Sequence, residues 1–242
     1  MAARADMMDE ILKGGSAELG LELPDGAVAA FEKYYELLSR KNEVMNLTAI
    51  SGAEDTARLH FLDCAALLTM AELKGRDVVD VGTGAGFPGV PMLIAEPGIR
   101  SMTLLDSLGK RVDFLRECCA ALGLDGRAVP VHARAEEFAA ERRESFDAAV
   151  SRAVARLDVL VELALPLVKP GGFFAAMKGP KGREELDGAR RAIELLGGGR
   201  ARVCDYTVPG TDAVHSVIII EKIAPTPKKY PRRYAQIKKS PL

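Results

Sequence analysis

The sequence has few of the residues and patterns that mark membrane, secreted or metal-binding proteins. Its 242 residues include no tryptophan, three histidines and four cysteines. No stretch approaches the roughly 18 apolar residues of a membrane span, and the N-terminus carries acids where a signal peptide needs an apolar core. Without C-x-x-C spacing, the cysteines are expected to be buried free thiols in a reducing compartment and not zinc ligands. We therefore expect a cytoplasmic protein with no metal. The cysteines are Cys64, Cys118, Cys119 and Cys204.

A formal net charge of −1 excludes a global attraction to nucleic acid, so any affinity for RNA has to come from local patches. The length suits one large α/β domain with a small appendage, and 48% hydrophobic residues suffice for a sizeable core. Nothing in the sequence indicates an obligate protein partner.

The most informative stretch is a glycine-rich turn between a predicted strand and a predicted helix. Residues 78–81 form a short β-branched run that is typical of a buried parallel strand. Gly82, Gly84 and Gly86 follow in alternation, which lets the backbone turn sharply and approach a ligand. Pro88 stands where a first helical turn tolerates its missing N–H. A strand, a glycine turn and a helix start together predict a nucleotide-binding corner.

Two ligands fit this corner. The spacing Gly84-x-Gly86-x-x-Gly89 matches the dinucleotide pattern, which is weak evidence alone. The overlapping string Asp80-x-Gly82-x-Gly84-x-Gly86 resembles the first motif of S-adenosylmethionine-dependent methyltransferases. Asp106 ends the next apolar run, where a carboxylate binds a ribose, but both ligands contain a ribose. The corner therefore leaves the choice of ligand open.

The rest of the chain favours S-adenosylmethionine. Strands and helices alternate after residue 77 and a final hairpin follows, which is the seven-stranded methyltransferase arrangement and leaves no residues for the substrate domain of a dehydrogenase. We predict a Rossmann-like class I α/β fold whose last strand is antiparallel. Its parts are a helical cap (1–74), a cofactor domain (75–224) and a basic tail (225–242). Strands are expected near 77–81, 101–106, 127–132, 146–151, 171–177, 202–208 and 214–221, and helices near 25–38, 54–73, 88–95, 109–122, 134–141, 157–168 and 183–196.

Seven motifs in order, spread from about residue 33 to the C-terminus, resemble one family. They are Asn42-Glu-Val-Met-Asn-Leu-Thr48, His60-Phe-Leu-Asp63, Asp80-Val-Gly-Thr-Gly-Ala-Gly-Phe-Pro-Gly89, Leu105-Asp-Ser-Leu-Gly-Lys-Arg111, Arg134-Ala-Glu136, Ser151-Arg-Ala153 and Lys228-Lys-Tyr-Pro-Arg232. The sequence is thereby similar to the bacterial 16S ribosomal RNA guanine-N7 methyltransferases, also called glucose-inhibited division protein B. The resemblance implies transfer of a methyl group from S-adenosylmethionine to 16S RNA, free or in the small-subunit particle.

The resemblance also implies a cofactor site. Asp106 would hold the ribose hydroxyls, Ala135 and Glu136 would border the adenine, and Arg152 would lie at another pocket position. Some of these residues have structural alternatives. Arg152 could pair with Asp80, and Glu136 opens a helix, where a carboxylate is favoured in any case. His60 could be a packed histidine bonded to Asp63. The implied cofactor residues are Gly82, Gly84, Gly86, Phe87, Asp106, Ala135, Glu136 and Arg152.

Methylation at guanine N7 needs no strong general base, because N7 has a lone pair and no proton to lose; the task is positioning. In agreement, Ser151-Arg-Ala-Val follows the fourth strand in place of the Asn/Asp-Pro-Pro-Tyr/Phe motif of amine methylators. Phe87 or a tail tyrosine is expected to stack on a splayed base.

Cations on two loops and the tail are the expected phosphate contacts. The tail has six basic side chains and no acid, although a frayed, solvated end explains such a run equally well. Another S-adenosylmethionine enzyme, a nicotinamide dehydrogenase and a non-catalytic RNA-binding module remain alternatives. The candidate RNA contacts are Arg40, Lys41, Lys178, Lys181, Arg183, Lys228, Lys229, Arg232 and Arg233.

Overall fold

A computed structural model describes residues 2–242 of the chain. Its centre is a seven-stranded sheet in the order β3-β2-β1-β4-β5-β7-β6. Only β7 is antiparallel among these strands, because it pairs in that sense with both β5 and β6. The strands are β1 (Asp77–Val81), β2 (Ser101–Asp106), β3 (Ala128–His132), β4 (Phe146–Arg152), β5 (Val168–Lys178), β6 (Gly198–Thr207) and β7 (Val214–Lys222).

Helices cover both faces of the sheet, as near-continuous apolar strands require. The predicted class I fold is thus confirmed. No helix among residues 2–242 is long and apolar enough to cross a membrane. The helices are α1 (Ala2–Glu18), α2 (Ala27–Met45), α3 (Ala53–Thr56), α4 (Asp63–Ala66), α5 (Gly89–Ala95), α6 (Gly109–Ala121), α7 (Ala135–Glu141), α8 (Leu157–Ala164), α9 (Gly182–Leu195) and α10 (Tyr234–Lys239).

The N-terminal helices pack on one face of the sheet and share its core. Phe31 and Tyr34 of α2 stack on Phe61, with ring centroids 4.9 and 5.3 Å apart. These rings belong to the same buried cluster as Val78 of β1 and Leu104 of β2. Burial of this aromatic stack fixes the cap against the strands that form the glycine corner.

The helix predicted over residues 54–73 is not regular. A six-residue π-helix, Ala57–Leu62, lies between α3 and α4, and a 3₁₀ turn, Leu67–Thr69, follows α4. Such π segments are rare and occur frequently at functional sites. This one carries His60 and leads into Asp63, and both side chains take part in the cluster described below.

The basic tail packs on the protein and does not extend as a frayed end. Tyr230 and Ile237 are buried against the second core cluster. The Arg232 guanidinium forms an ion pair of 2.6 Å with Glu162 of α8, whose side chain is fully buried. Glu162 also accepts the backbone N–H of Arg232 at 2.9 Å. The tail therefore contributes to the fold whatever else it contacts.

Candidate functional site

A cavity of about 480 Å³ opens at the carboxyl ends of β1, β2 and β4. This is the edge at which open α/β sheets bind their ligands. Of the eight cofactor residues expected from the sequence, all but Gly86 line it. The cap and the tail each add to the wall. The lining includes Leu47, Thr48, His60, Gly82, Gly84, Phe87, Asp106, Leu108, Arg111, Ala135, Glu136, Arg152, Val154 and Tyr234.

The glycine turn presents open backbone to this cavity. Gly84 has a φ of +61°, and no atom lies within 4 Å of where its Cβ would stand. A ligand can therefore approach this peptide closely. Gly86 differs, because a Cβ there would lie 2.7 Å from Val90 Cγ2 and 2.8 Å from the Tyr34 hydroxyl. Gly86 does not line the cavity and lets the turn pack on α2 and α5, so its contact with the cofactor stays a prediction that the packing does not favour.

Asp106 is held at the end of β2 with its carboxylate in the cavity wall. One oxygen accepts the Gly84 N–H at 3.0 Å, and the other accepts the Leu108 N–H at 2.8 Å. Arg111 lies 3.5 Å from the first oxygen. A carboxylate oxygen accepts more than one hydrogen bond, so the oriented carboxylate retains acceptor capacity for two vicinal hydroxyls.

Asp80 braces the turn from behind and is fully buried. Its Oδ2 accepts the Thr83 hydroxyl at 2.6 Å and the Gly89 N–H at 2.9 Å. Its Oδ1 has no partner among the described residues, and burial raises the pKa of the carboxyl to about 7. The pairing of Asp80 with Arg152, considered from the sequence, is not present.

Arg152 instead joins the sheet to the π-helix segment. Its Nη1 donates to Asp63 Oδ2 at 2.8 Å and to the Leu59 carbonyl at 3.0 Å. Its guanidinium also lies 4.8 Å from the centre of the Phe87 ring. This end of β4 is thus tied to the cap by a charge that is itself mostly buried.

Asp63 is the acceptor at the centre of this cluster. Besides Arg152, it accepts the Tyr206 hydroxyl at 2.8 Å and His215 Nδ1 at 2.7 Å. Burial alone would raise the pKa of Asp63, but the hydrogen bond from His215 and the charge of Arg152 hold it below its usual value. The same contact raises the pKa of His215.

His60 is a neutral, packed imidazole. It stacks on Phe87 with centroids 4.2 Å apart and contacts Arg152 Nη2 through Nδ1 and Thr48 Oγ through Nε2. Burial and the Arg152 charge lower its pKa to about 3. The hydrogen bond from His60 to Asp63 expected from the sequence is not formed, because Arg152 lies between them. The His60 and Arg152 contacts leave Phe87 only 7% exposed, so Phe87 is not placed to stack on a base.

Sequence reasoning left several residues of this wall unassigned, among them Thr48, and did not single out Tyr234 from the other tail tyrosines. Thr48 lies in the quoted Asn-Leu-Thr motif, but nothing in the local pattern shows that the cap folds over the corner. Tyr234 of α10 also lines the cavity, and only the tertiary packing of the tail brings it there. A second cavity of about 630 Å³ shares His60, Arg152, Ala153 and Val154 with the first.

The candidate RNA contacts fall into three groups. Lys178 and Arg232 are engaged inside the protein, the first with Glu185 at 2.8 Å and the second with Glu162. Their assignment as free phosphate contacts is therefore corrected. Lys41 and Arg183 pair with Glu117 and Asp205 at the surface. The side chains of Arg40, Lys181, Lys228, Lys229 and Arg233 are exposed.

Fold and cavity together define a class I S-adenosylmethionine-dependent methyltransferase. The chain superposes on the O-methyltransferase from Bacillus cereus in complex with SAH, with a TM-score of 0.55 and 18% identity, covering 78% of this chain and 90% of that one. It also resembles a SAM-dependent O-methyltransferase from Thermotoga maritima, with a TM-score of 0.52 and 15% identity, covering 79% and 73%. At these identities the likeness establishes the fold.

The chain belongs to the family of rRNA small subunit methyltransferase G (GidB), whose family model matches residues 27–208. The ribosomal RNA small subunit methyltransferase G of Alkaliphilus oremlandii is 46% identical over 238 residues, covering 97% of this chain and 99% of that protein. The protein of that name from Pelotomaculum thermopropionicum is 42% identical over 239 residues, covering 98% and 99%. The family expected from the seven motifs is confirmed.

Proposed function

We propose that this protein transfers the methyl group of S-adenosylmethionine to N7 of a guanine in 16S ribosomal RNA, free or within the small-subunit particle, in the cytoplasm. The observation that carries this proposal is the likeness over nearly the whole chain to proteins named ribosomal RNA small subunit methyltransferase G, and the cavity wall agrees with it. The histidine that lines it, His60, is neutral and has both ring nitrogens engaged, so it offers no general base. Guanine N7 needs none, because its lone pair lies in the ring plane and carries no proton.

The residues present fit the cofactor. Asp106 retains acceptor capacity for ribose hydroxyls, and Gly84 leaves open space where a ligand approaches the backbone. Gly82 would flank the methionine part, while Leu108, Ala135 and Glu136 would border the adenine. When bound, S-adenosylmethionine supplies an electrophilic methyl group on its sulfonium.

The remaining work of the chain is to orient the acceptor base. Holding two reactants in line converts a bimolecular step into an effectively unimolecular one, and effective molarities for well-oriented groups reach about 10⁵–10⁸ M. The cluster of His60, Arg152 and Asp63 stiffens the wall, because each member is fixed by at least two contacts. Tyr234 is the aromatic side chain of the tail placed in the cavity wall to stack on a splayed base.

The RNA is expected to contact cations that are exposed at the protein surface. Arg40 on α2, Lys181 before α9 and Lys228, Lys229 and Arg233 of the tail are exposed. Because the net charge is −1, these local groups and not the overall field would attract phosphate.

Mapping of methylated nucleotides tests the proposal directly. Small-subunit RNA from cells with and without the protein is digested and examined by mass spectrometry, and one 7-methylguanosine should depend on the protein. Purified wild-type protein should restore it with S-adenosylmethionine, whereas Asp106→Ala should restore little because cofactor affinity falls. A methyl group on another atom or another RNA would refute the substrate; binding of NADH in place of S-adenosylmethionine would refute the reaction.

A further inference from the structure

The Thr48 backbone and hydroxyl oxygen are held in the cavity wall by hydrogen bonds within the cap. The side chain of Asn42 at the end of α2 binds both backbone groups of Thr48: its amide donates to the Thr48 carbonyl at 2.9 Å, and its oxygen accepts the Thr48 N–H at 2.9 Å. The Thr48 hydroxyl oxygen is contacted by His60 Nε2 at 2.8 Å and by the Ile50 N–H at 3.1 Å. Its position is therefore set by the cap and not by the ligand.

The direction of the hydrogen bond between His60 and Thr48 follows from Arg152. A guanidinium is always a donor, so its 2.7 Å contact requires the lone pair of His60 on Nδ1. His60 is neutral, and a neutral imidazole carries its single proton on the other nitrogen. His60 Nε2 therefore donates to the Thr48 hydroxyl oxygen. Asp63 accepts a hydrogen bond from Arg152 and so keeps the guanidinium oriented toward His60 Nδ1.

Thr48 is left as a donor only. A hydroxyl oxygen has two lone pairs and one proton. The proton of His60 Nε2 occupies one lone pair and the Ile50 N–H occupies the other. Among the described residues, the structure shows no acceptor for the remaining Thr48 proton. The side chain lines the cofactor cavity, so that proton is available to a ligand there.

We propose that the Thr48 hydroxyl recognises the target base by donating a hydrogen bond to guanine O6, and that it excludes adenine for the same reason. This inference rests on the proposed function. Guanine presents N7 and O6 as adjacent acceptors, whereas adenine presents N7 beside an N6 amino donor. Both bases therefore offer a nucleophilic N7, and the neighbouring group has to distinguish them. A hydroxyl whose two lone pairs are both occupied can donate its proton to guanine O6. Against adenine, the same proton would face the protons of the N6 amino group, and no hydrogen bond would form.

His60 acts through Thr48 as a positioning residue in this arrangement. If its Nε2 did not donate, the hydroxyl would keep a free lone pair and could accept from adenine N6. The series of hydrogen bonds from Asp63 through Arg152 and His60 to Thr48 thus leaves the Thr48 hydroxyl able to donate a hydrogen bond but not to accept another. This gives the charged cluster a role in base recognition besides its place in the cavity wall.

A cycle of protein and base substitutions tests the proposal. Small-subunit RNA is assembled by ligation with guanosine, inosine or 2-aminopurine riboside at the mapped position. Inosine keeps O6 and loses the 2-amino group; 2-aminopurine loses O6 and keeps the amino group. The two bases differ elsewhere as well, so the quantity that reports on Thr48 is the ratio of their kcat/KM values in wild type divided by the ratio in a Thr48 variant that lacks the hydroxyl, which should be about 3 to 10, as for one lost hydrogen bond.

Thr48→Val removes the hydroxyl with little change in shape, and the ratio between inosine and 2-aminopurine should fall by that factor relative to wild type. Thr48→Ser keeps the donor and should keep the ratio. Thr69→Val is the matched control, because the Thr69 hydroxyl donates to the Ala66 carbonyl on an exposed turn. Thr48→Ala provides the same test if the valine variant does not fold.

Two results would overturn the proposal. One is an unchanged ratio in the folded Thr48→Val protein. The other is a calorimetric affinity for S-adenosylmethionine that falls tenfold in that variant, since the hydroxyl would then belong to the cofactor. These failures differ from failure of the proposed function, because wild-type protein would still form 7-methylguanosine in the mapping experiment.

Discussion

At the scale of single residues, Gly84 and Gly86 both have a positive φ, +61° and +112°, but different surroundings. Substitution by alanine strains the left-handed backbone at Gly84 by roughly 1–2 kcal/mol, and at Gly86 a clash of the Cβ with its neighbours adds to the backbone strain. At Gly84 the methyl group enters the cavity, and at Gly86 it enters packed atoms of α2 and α5. We therefore expect Gly84→Ala to fold and to lose affinity for S-adenosylmethionine, and Gly86→Ala to lose stability first.

Gly123→Ala is the matched control for this pair. Gly123 has a φ of +66° and open space at its Cβ, and it does not line the cavity. Melting temperatures without ligand measure the strain, and the shift on adding S-adenosylmethionine measures binding. The control should lose stability as Gly84→Ala does and keep the full ligand shift. A full shift in Gly84→Ala would contradict the placement of the cofactor.

Asp80 predicts a pH dependence of stability. Its folded-state pKa of about 7 lies above the usual value for an unfolded chain, about 3.9. The folded protein therefore binds this proton more tightly, so the contribution is fully present below pH 4 and is lost as the pH rises to 7. Asp80→Asn has no charge to bury, and its stability relative to wild type should improve over this window and level off above it.

Urea unfolding of both proteins without cofactor, from pH 4.5 to 8.5, measures this difference. The neutral His60 has the opposite effect as the pH falls, because its pKa is lowered to about 3. Since His60 is present in both proteins, its contribution cancels when the two are subtracted. A difference in unfolding free energy that does not change with pH would show that Asp80 is ionised in the folded protein throughout.

At the scale of elements, local sequence patterns predicted the strands better than the π-helix and the tail, the two segments that pack around the cavity. β1 and β2 fall at the expected residues, because β-branched and apolar runs bounded by turns are local signals. The π-helix at Ala57–Leu62 has no such signal, because its register depends on Arg152 donating to the Leu59 carbonyl from a strand 93 residues away. The packing of the tail has no local signal for a similar reason. Its acidic partner Glu162 lies 70 residues earlier, in a mostly apolar helix.

The ion pair between α8 and the tail predicts that the tail is required for the fold. Replacing Arg232 by Met leaves the fully buried Glu162 carboxylate without its partner. Breaking a buried pair in this way costs about 3–5 kcal/mol. Arg190→Met breaks an exposed pair with Asp187 and should cost at most about 1 kcal/mol. Chemical denaturation of the two variants compares these costs directly.

A second substitution distinguishes the lost pair from lost packing. Glu162→Leu in the Arg232→Met protein removes the uncompensated charge and should recover most of the stability. If it recovers none, the arginine acts mainly through the packing of its aliphatic part. Truncation after Thr226 is for this reason a poor test of RNA binding, because it would unfold part of the second core along with removing the cations.

At the scale of the whole molecule, a chain of net charge −1 has to bind a polyanion through a few exposed cations. Lys228, Lys229 and Arg233 are exposed on the tail, whereas Arg232 of the same run forms an ion pair with the buried Glu162. Each phosphate contact that releases counterions contributes about 0.7–0.9 to the slope of log affinity against log salt. The number of contacts is therefore measurable as a slope.

Replacing Lys228, Lys229 and Arg233 by alanine should weaken RNA binding and lower that slope by about 0.7–0.9 for each side chain that touches phosphate. The control replaces Lys13, Arg116 and Arg190, which remove the same charge but pair with acids in their own helices. Filter binding of small-subunit RNA at several salt concentrations gives the slopes, and calorimetry should show unchanged S-adenosylmethionine affinity in both triples. Equal slopes in the two triple variants would show that the RNA does not contact the tail, and Arg40 and Lys181 would then be the remaining candidates. A steeper loss in the control would place the RNA surface on α1, α6 or α9 instead.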